Sequence, residues 1–385
     1  MSENRRFAVV LVLVGWFLPA ALAQTENPKE LSESIDLVEL EEHVTYLASD
    51  ELKGRGPGEG AEPAREYIVD FFKELELEPA GEDGYLQAIG GKPGGANILA
   101  VIRGQDPELG KEYVILSAHY DHLGERNGSI YPGADDDASG IAALLEIARV
   151  LKEEEVSLPR SLLLIAFDLE EYGLQGSRHF VQSPTVPLEQ IVLFINMDML
   201  GRDMADILEN YVFALGWEHS RWLKGLVREA AAGTGLKLGL VGTDVIGLRG
   251  DYGPFMGRRI PYLFFSTGES SDYHKPTDTA DRILFPKLRK STGLVLRTVL
   301  AAARLKERPA YAEPEPDIDE IRLFADVLEV VQEKAERLKL DATERAFVGF
   351  LRGQLEPILR RGKITKEERE QIREFVQRLA LMMTR

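Results

Sequence analysis

The stretch Leu162-Leu-Leu-Ile-Ala-Phe-Asp-Leu-Glu-Glu171 opens on six apolar residues and closes on a pair of carboxylates. A short, unbroken apolar run between polar flanks has the length of a strand buried on both faces, as in a parallel sheet. Two other runs share the pattern, Val114-Ile-Leu-Ser-Ala-His119 and Ile191-Val-Leu-Phe-Ile-Asn-Met-Asp198, and each also ends on a group able to hold a metal ion. From Asn97 onward, strand-like runs at 97–103, 113–119, 161–169, 190–198, 211–215 and 261–267 alternate with helical runs near 138–152, 174–182, 218–232 and 284–305. That alternation predicts a layered α/β domain around a mixed, mainly parallel sheet flanked by helices. In open sheets of this kind ligands bind outside the carboxyl ends of the strands, so chemistry is expected where these runs stop.

Ahead of the sheet, Leu37, Leu40, Val44 and Leu47 fall at helical spacing within 35–53, Gly54-Arg-Gly-Pro-Gly-Glu-Gly60 reads as a loop, and Ala61 to Leu75 reads as a second amphipathic helix. Residues 24–34 are polar and read as disordered. Arg5 and Arg6 precede an apolar stretch from Phe7 to Leu18, and Ala21-Leu22-Ala23 has the small residues of a cleavage site. Residues 1–23 therefore read as a signal peptide, cleaved near Ala23 on export to the periplasm or the medium. The stretch falls short of the ~20 apolar residues of a membrane span, and no stable span is expected after cleavage. The main domain spans 35–306 and a Pro-rich linker 307–317. Residues 318–385 form a helical extension, with helices near 318–338, 342–361 and 366–383. In the extension Ile321, Phe324, Leu328 and Val331 make one apolar stripe, and Thr365 with Glu368 makes a capping box. It holds no His and no convergent motif, so it reads as a bundle packed on the main domain or on another subunit, the latter giving a homo-oligomer.

Composition narrows the chemistry. The chain has no Cys, which excludes disulfides, thiolate ligands and a Cys nucleophile. A net charge of −18 disfavours nucleic acid, which requires a basic stripe. A bound metal would have to use imidazole and carboxylate ligands, the donor set of catalytic zinc sites.

Candidate ligands stand at the run ends. His119-Tyr-Asp121 pairs an imidazole with a carboxylate able to take its second ring N–H. Gly133-Ala-Asp-Asp-Asp-Ala-Ser-Gly140 places three Asp ahead of a helix. One of them is explained by helix capping, and spacing alone does not select the ligand among Asp135, Asp136 and Asp137. Adjacent Glu170 and Glu171 point different ways at a strand end, so one can bind metal while the other moves a proton. Asp198 sits in the apolar context Asn196-Met-Asp-Met-Leu-Gly201, and His274 in the Pro-punctuated loop Asp272-Tyr-His-Lys-Pro-Thr-Asp-Thr279. His43 falls on the polar side of the first helix, His179 in a helix and His219 near a helix start. His122 lies near the site without an argument of its own.

Together, His119-x-Asp121, the Gly133–Gly140 run, Glu170-Glu171, Asn196-Met-Asp198 and Tyr273-His-x-Pro-x-Asp278 resemble the co-catalytic zinc exopeptidases of the aminopeptidase Y and bacterial leucyl aminopeptidase type. The resemblance covers roughly residues 36–306 and leaves out the helical extension. It implies a three-layer zinc-exopeptidase-like fold and two Zn²⁺ per chain. Asp136 would bridge them, with Glu171 and His274 completing one shell and His119 and Asp198 the other. It further implies Glu170 as general base, Asp121 as the partner of His119 with a cis peptide following, and peptides with a free N-terminus as substrates. Residues 76–113 leave no room for the protease-associated domain that many relatives insert. The family's Ser-Asp-His ahead of Pro-Phe reads Gly250-Asp-Tyr-Gly-Pro-Phe255 here, so Tyr252 replaces a His on the substrate side. A carboxypeptidase, a glutaminyl-cyclase-like acyltransferase and a non-catalytic peptidase-like binding protein are the alternatives on the same scaffold.

Overall fold

The computed structural model describes residues 27–57, 60–91 and 94–383. The signal-peptide reading of 1–23 falls outside them. Three helices come first: α1 (Pro28–Leu31), α2 (Leu37–Leu47) and α3 (Ala61–Glu74). Two short strands, β1 (Glu78–Pro79) and β2 (Leu86–Ile89), lead into β3 (Gly95–Ile102) and β4 (Tyr113–His119). The small hairpin β5 (Gly124–Arg126) and β6 (Ser129–Tyr131) is followed by α4 (Gly140–Glu153), β7 (Ser161–Phe167), α5 (Gln175–Gln182) and β8 (Ile191–Met197). Then come β9 (Tyr211–Leu215), α6 (Arg221–Ala231), β10 (Lys237–Leu240), α7 (Thr243–Ile246), α8 (Tyr252–Gly257), β11 (Tyr262–Ser266) and α9 (Phe285–Ala303). The extension is α10 (Ile318–Glu333), α11 (Ala342–Arg361) and α12 (Lys366–Met383).

The main sheet runs β1-β3-β7-β4-β8-β11-β9-β10, with β2 added on β3. Its centre, β7, β4, β8 and β11, is parallel, so His119, Asp168 and Asp198 all emerge at one edge. The next pairings outward, β3 with β7 and β11 with β9, are antiparallel. The sheet is therefore mixed: the site stands on its parallel centre, and a second parallel pair, β9 with β10, closes the far edge.

Alternation along the strands builds three layers. From β3, Ile98 and Ala100 face a core shared with α2, α3, α4, α6 and α9. Leu99 and Val101 face the opposite core, shared with α5 and α8 and with the extension. The apolar stripe Ile321, Phe324, Leu328 and Val331 is buried in that second core beside Tyr211 and Phe213, so the extension completes the third layer of its own chain. The capping box at Thr365 and Glu368 forms with bonds of 3.0 and 3.2 Å, and Asp341 with Glu344 makes another at α11.

Three expectations are revised. Residues 27–34 are ordered: Pro28 starts α1, Leu31 is buried, and Arg289, Arg297 and Arg149 hold Glu33, Ser32 and Ser34. Composition missed this because long-range Arg donors satisfy a backbone that is polar by itself. His43 is buried, its Nδ1 at 2.7 Å from the Tyr67 hydroxyl and its ring edge-on to Phe71. Residues 307–317, read as a linker, have no helix or strand but lie against the main domain: Ala312 and His219 exchange bonds, and Tyr311 stacks on His219 at 4.7 Å.

Candidate active site

The Gly133–Gly140 run resolves into three Asp with three separate tasks. Asp135 Oδ1 accepts the Gly201 N–H at 2.7 Å. Asp137 accepts the N–H groups of Gly140, Met199 and His119, at 2.9, 3.1 and 3.2 Å. Both tie the loop to neighbouring strand ends. Asp136 alone turns to the sheet edge: its Oδ1 lies 3.2 Å from His119 Nε2 and its Oδ2 lies 3.1 Å from His274 Nε2. Gly133 makes this possible, since its φ is +61° and an added Cβ would stand 2.2 Å from Asp136 O. The non-proline cis peptide lies at Asp136–Asp137, not after Asp121.

Asp121 acts through a different bond from the one anticipated. The second ring nitrogen of His119 meets the backbone carbonyl of Asp121 at 3.1 Å, whereas the carboxylate stands 3.7 Å away. That carboxylate instead accepts the N–H groups of Glu170 and Glu171, at 2.9 and 3.2 Å. Asp121 thus orients both the imidazole and the Glu pair. The backbone at Leu169, Met199 and His274 is left-handed, with φ of +57°, +58° and +54°. Such conformations are unfavourable for these residues and gather at functional sites.

His274 is held by its loop. Asp272 accepts from Arg202 at 2.9 Å, Arg282 at 3.0 Å and Thr277 at 2.6 Å. Asp278 in turn accepts the N–H groups of Asp135 and Asp136, between 3.0 and 3.2 Å, so the His274 loop and the Asp136 loop are bonded to each other.

Among the described residues, two groups of acids and imidazoles bring ligand atoms within 4.8 Å of one another: His119, Asp136 and Asp198, and His122, Asp136 and Glu171. Asp136 belongs to both. His122 was passed over in the sequence, yet its Nδ1 lies 2.8 Å from Glu171 Oε1. Its place three residues after His119 is the only signal that points to it. Arg55 was also missed. It is fully buried and donates to the carbonyls of Leu47, Tyr120, Pro132, Gly133 and Asp136. The close approach needs the flanking glycines, because a Cβ on Gly54 would lie 2.3 Å from Tyr131 O.

A cation suits the centre. Asp198 Oδ1 and His122 Nε2 are buried without a hydrogen-bond partner, and His122 Nδ1 and Glu171 Oε1, 2.8 Å apart, face each other without hydrogen-bond geometry. Leaving such groups unpaired in a dry site is costly, and metal ligation is one way to relieve it. Nitrogen and oxygen donors without sulfur fit zinc in a catalytic site. Electrostatics agree: burial raises Asp136, but the imidazoles of His119, His122 and His274 outweigh it and hold the carboxyl well below its usual range. Burial, with Asp251 and Asp198 nearby, pushes Glu170 well up. Burial lifts Asp251 itself to about 7, and neither of its oxygens makes a well-formed hydrogen bond. Tyr252, the departure from the family pattern, is turned inward, donating to Gly247 O at 2.5 Å and stacking on Tyr262 at 5.2 Å.

His119, Asp136, Glu170, Asp198 and His274 line one cavity of about 560 Å³. Among the described residues no helix is long and apolar enough to cross a membrane.

Residues 97–299 match the sequence model of Peptidase family M28. Aminopeptidase YwaD of Bacillus subtilis is 28% identical over 224 residues, covering 56% of this chain and 47% of that one. The chain spans about half or less of the length of the curated relatives it matches. LapB of Legionella pneumophila shares the fold, with a TM-score of 0.60 and 20% identity over 74% of this chain and 77% of that one. So does a Bacteroides thetaiotaomicron glutaminyl cyclase bound to N-acetylhistamine, at 0.53 and 20% over 69% of this chain and 98% of that one.

Proposed function

This chain belongs to peptidase family M28, and we propose that it is an exported aminopeptidase that holds two zinc ions and uses Glu170 as general base. The division of Asp136 carries the reading: one oxygen faces His119 and the other faces His274, with Asp198 on the first side and Glu171 on the second. A carboxylate arranged in that way suits a bridging ligand between two cations. The ions, when bound, supply Lewis acidity and make a water nucleophilic near neutral pH.

The protein's own residues do the rest. Glu170 takes a proton from the attacking water as its oxygen bonds to the scissile carbonyl carbon, and returns that proton to the amine as the C–N bond breaks. Asp121 keeps Glu170 and Glu171 in register through their amides. Glu170, Asp198 and Glu269 line the cavity and favour a substrate's α-ammonium group. Export rests on the Arg5-Arg6, Phe7–Leu18 and Ala21-Leu22-Ala23 pattern, and the amino-terminal sequence of protein recovered outside the cytoplasm tests it.

A panel of aminoacyl anilides, N-blocked dipeptides and N-terminal glutamine peptides, run with metal analysis, tests the activity. Cleavage of free-amine substrates with two zincs per chain is expected. Cleavage of blocked peptides alone overturns the aminopeptidase reading, and cyclisation of N-terminal glutamine with one zinc replaces it by the acyltransferase.

A further inference from the structure

The cavity at the metal-ligand cluster does not end within the family-matched region. Part of its lining is α12, which contributes Val376, Gln377, Leu379, Leu381 and Met383, whereas the family match stops at residue 299. We propose that α12 is a specificity element of this active site, selecting substrates whose amino-terminal residue carries a large apolar side chain. The inference rests on the aminopeptidase reading for the identity of that residue.

Three observations support it. First, the same cavity is lined both by His119, Glu170 and Asp198 and by apolar side chains of α10 and α12, and its volume of about 560 Å³ lies in the range of small-ligand sites. Second, helix α12 is anchored to α7 and α10 through polar groups. Arg369 makes a double bond-pair to Asp244, at 2.6 and 2.7 Å, and reaches buried Glu320 at 2.7 Å. Glu320 accepts the Gly242 N–H at 2.7 Å, and Gln377 Nε2 donates to Asp244 O at 3.2 Å. Asp244 lies in α7, whose next residues, Val245 and Ile246, also line the cavity. Bidentate charge-assisted bonds of this kind fix geometry, so α12 and the α7 wall are set together. Third, Leu381 lines the cavity while 64% exposed, and Ile246 does so at 36%, which puts apolar surface at the mouth. Exposed apolar side chains grouped at a cavity mark a ligand surface.

Calorimetric binding of L-phenylalaninamide and L-alaninamide to the full-length, zinc-loaded chain tests the proposal. An apolar pocket discriminates by roughly 10–200-fold per methylene, so a preference for the phenylalanine compound of at least about tenfold is expected. Leu381→Asp should shrink that preference about tenfold and Leu381→Ala by less, on the same scale. Neither should shift the thermal midpoint, because Leu381 is mostly exposed. Arg369→Ala, which frees α12 from α7, should also shrink the preference. Equal affinity for both amides in the unaltered chain, binding of neither, or an unchanged preference in all three variants overturns the role of α12. Anilide hydrolysis measured alongside judges the other reading separately: selectivity that moves with Leu381 while no anilide is cleaved keeps the wall and removes the aminopeptidase.

Discussion

The carboxylate of Asp121 accepts the backbone N–H of Glu170 at 2.9 Å. This bond crosses from the end of β4 to the end of β7, and its companion to the Glu171 N–H makes it a two-point support. The Glu pair is therefore positioned through its backbone, leaving both side chains free for chemistry. Asp121→Asn keeps the shape but turns an NH₂ group toward one of the two amides. Hydrolysis or zinc affinity should fall about 10–100-fold, the usual effect of losing a support behind the ligands. Steady-state kinetics across a zinc titration would measure it, and wild-type values would show that the backbone support is dispensable.

Glu170→Gln separates proton transfer from metal binding. The amide fills the same volume but cannot accept a proton, so kcat should drop about 10²–10⁴-fold while zinc content stays constant. Unchanged hydrolysis with zinc bound would remove Glu170 from its role.

His122 lies beside Glu171 with neither ring nitrogen hydrogen-bonded. If it helps to hold metal, His122→Ala should weaken zinc retention in chelator competition. Zinc at 100 times its Kd stabilises a fold by about 2.7 kcal/mol, and that thermal shift should shrink in the variant. His179→Ala, in α5, serves as the comparison and should leave the shift intact.

Arg55 satisfies five carbonyl groups while fully buried. Arg55→Met retains the apolar stem and strands those acceptors, so a loss of roughly 3–5 kcal/mol is expected. Urea unfolding followed by circular dichroism would read it as a lower midpoint. A loss below about 1 kcal/mol would mean that the carbonyls find other partners.

Burial, with Arg149 adding repulsion, lowers His43 from 6.5 to about 4. The unfolded chain then binds a proton that the folded chain refuses. This contribution to stability is complete above pH 6.5 and is lost as the pH falls from 6.5 toward 4. Within that window it is worth about 1.4 kcal/mol per pH unit at most. His43→Gln, which keeps a hydrogen-bonding group near Tyr67, should flatten the dependence by up to one proton. Unfolding free energies measured at several pH values in this range test the slope.

Strand periodicity made the sheet legible because Leu162–Phe167, Val114–His119 and Ile191–Asp198 are buried on both faces and carry little else. The candidate residues His119, Glu170, Glu171 and Asp198 were legible for a related reason: charge directly after such a strand is expensive unless it has a task. His122 and Arg55 were not legible. What marks them is the carbonyls and carboxylates that surround them, which come from segments distant in sequence.

By itself, then, the sequence determined the layered α/β class, the strand-end acids and imidazoles, and the three helices beyond residue 317, since each depends on local periodicity. The family resemblance pointed to Asp136, but only the tertiary structure supplied the physical reason, because the choice depends on which carboxylates the amides of Gly140, Met199 and Gly201 have already claimed. It alone also brought α12 to the cavity, through Arg369 meeting Asp244 across 125 positions of chain. Contacts of that range follow from how layers pack, and no local pattern encodes them.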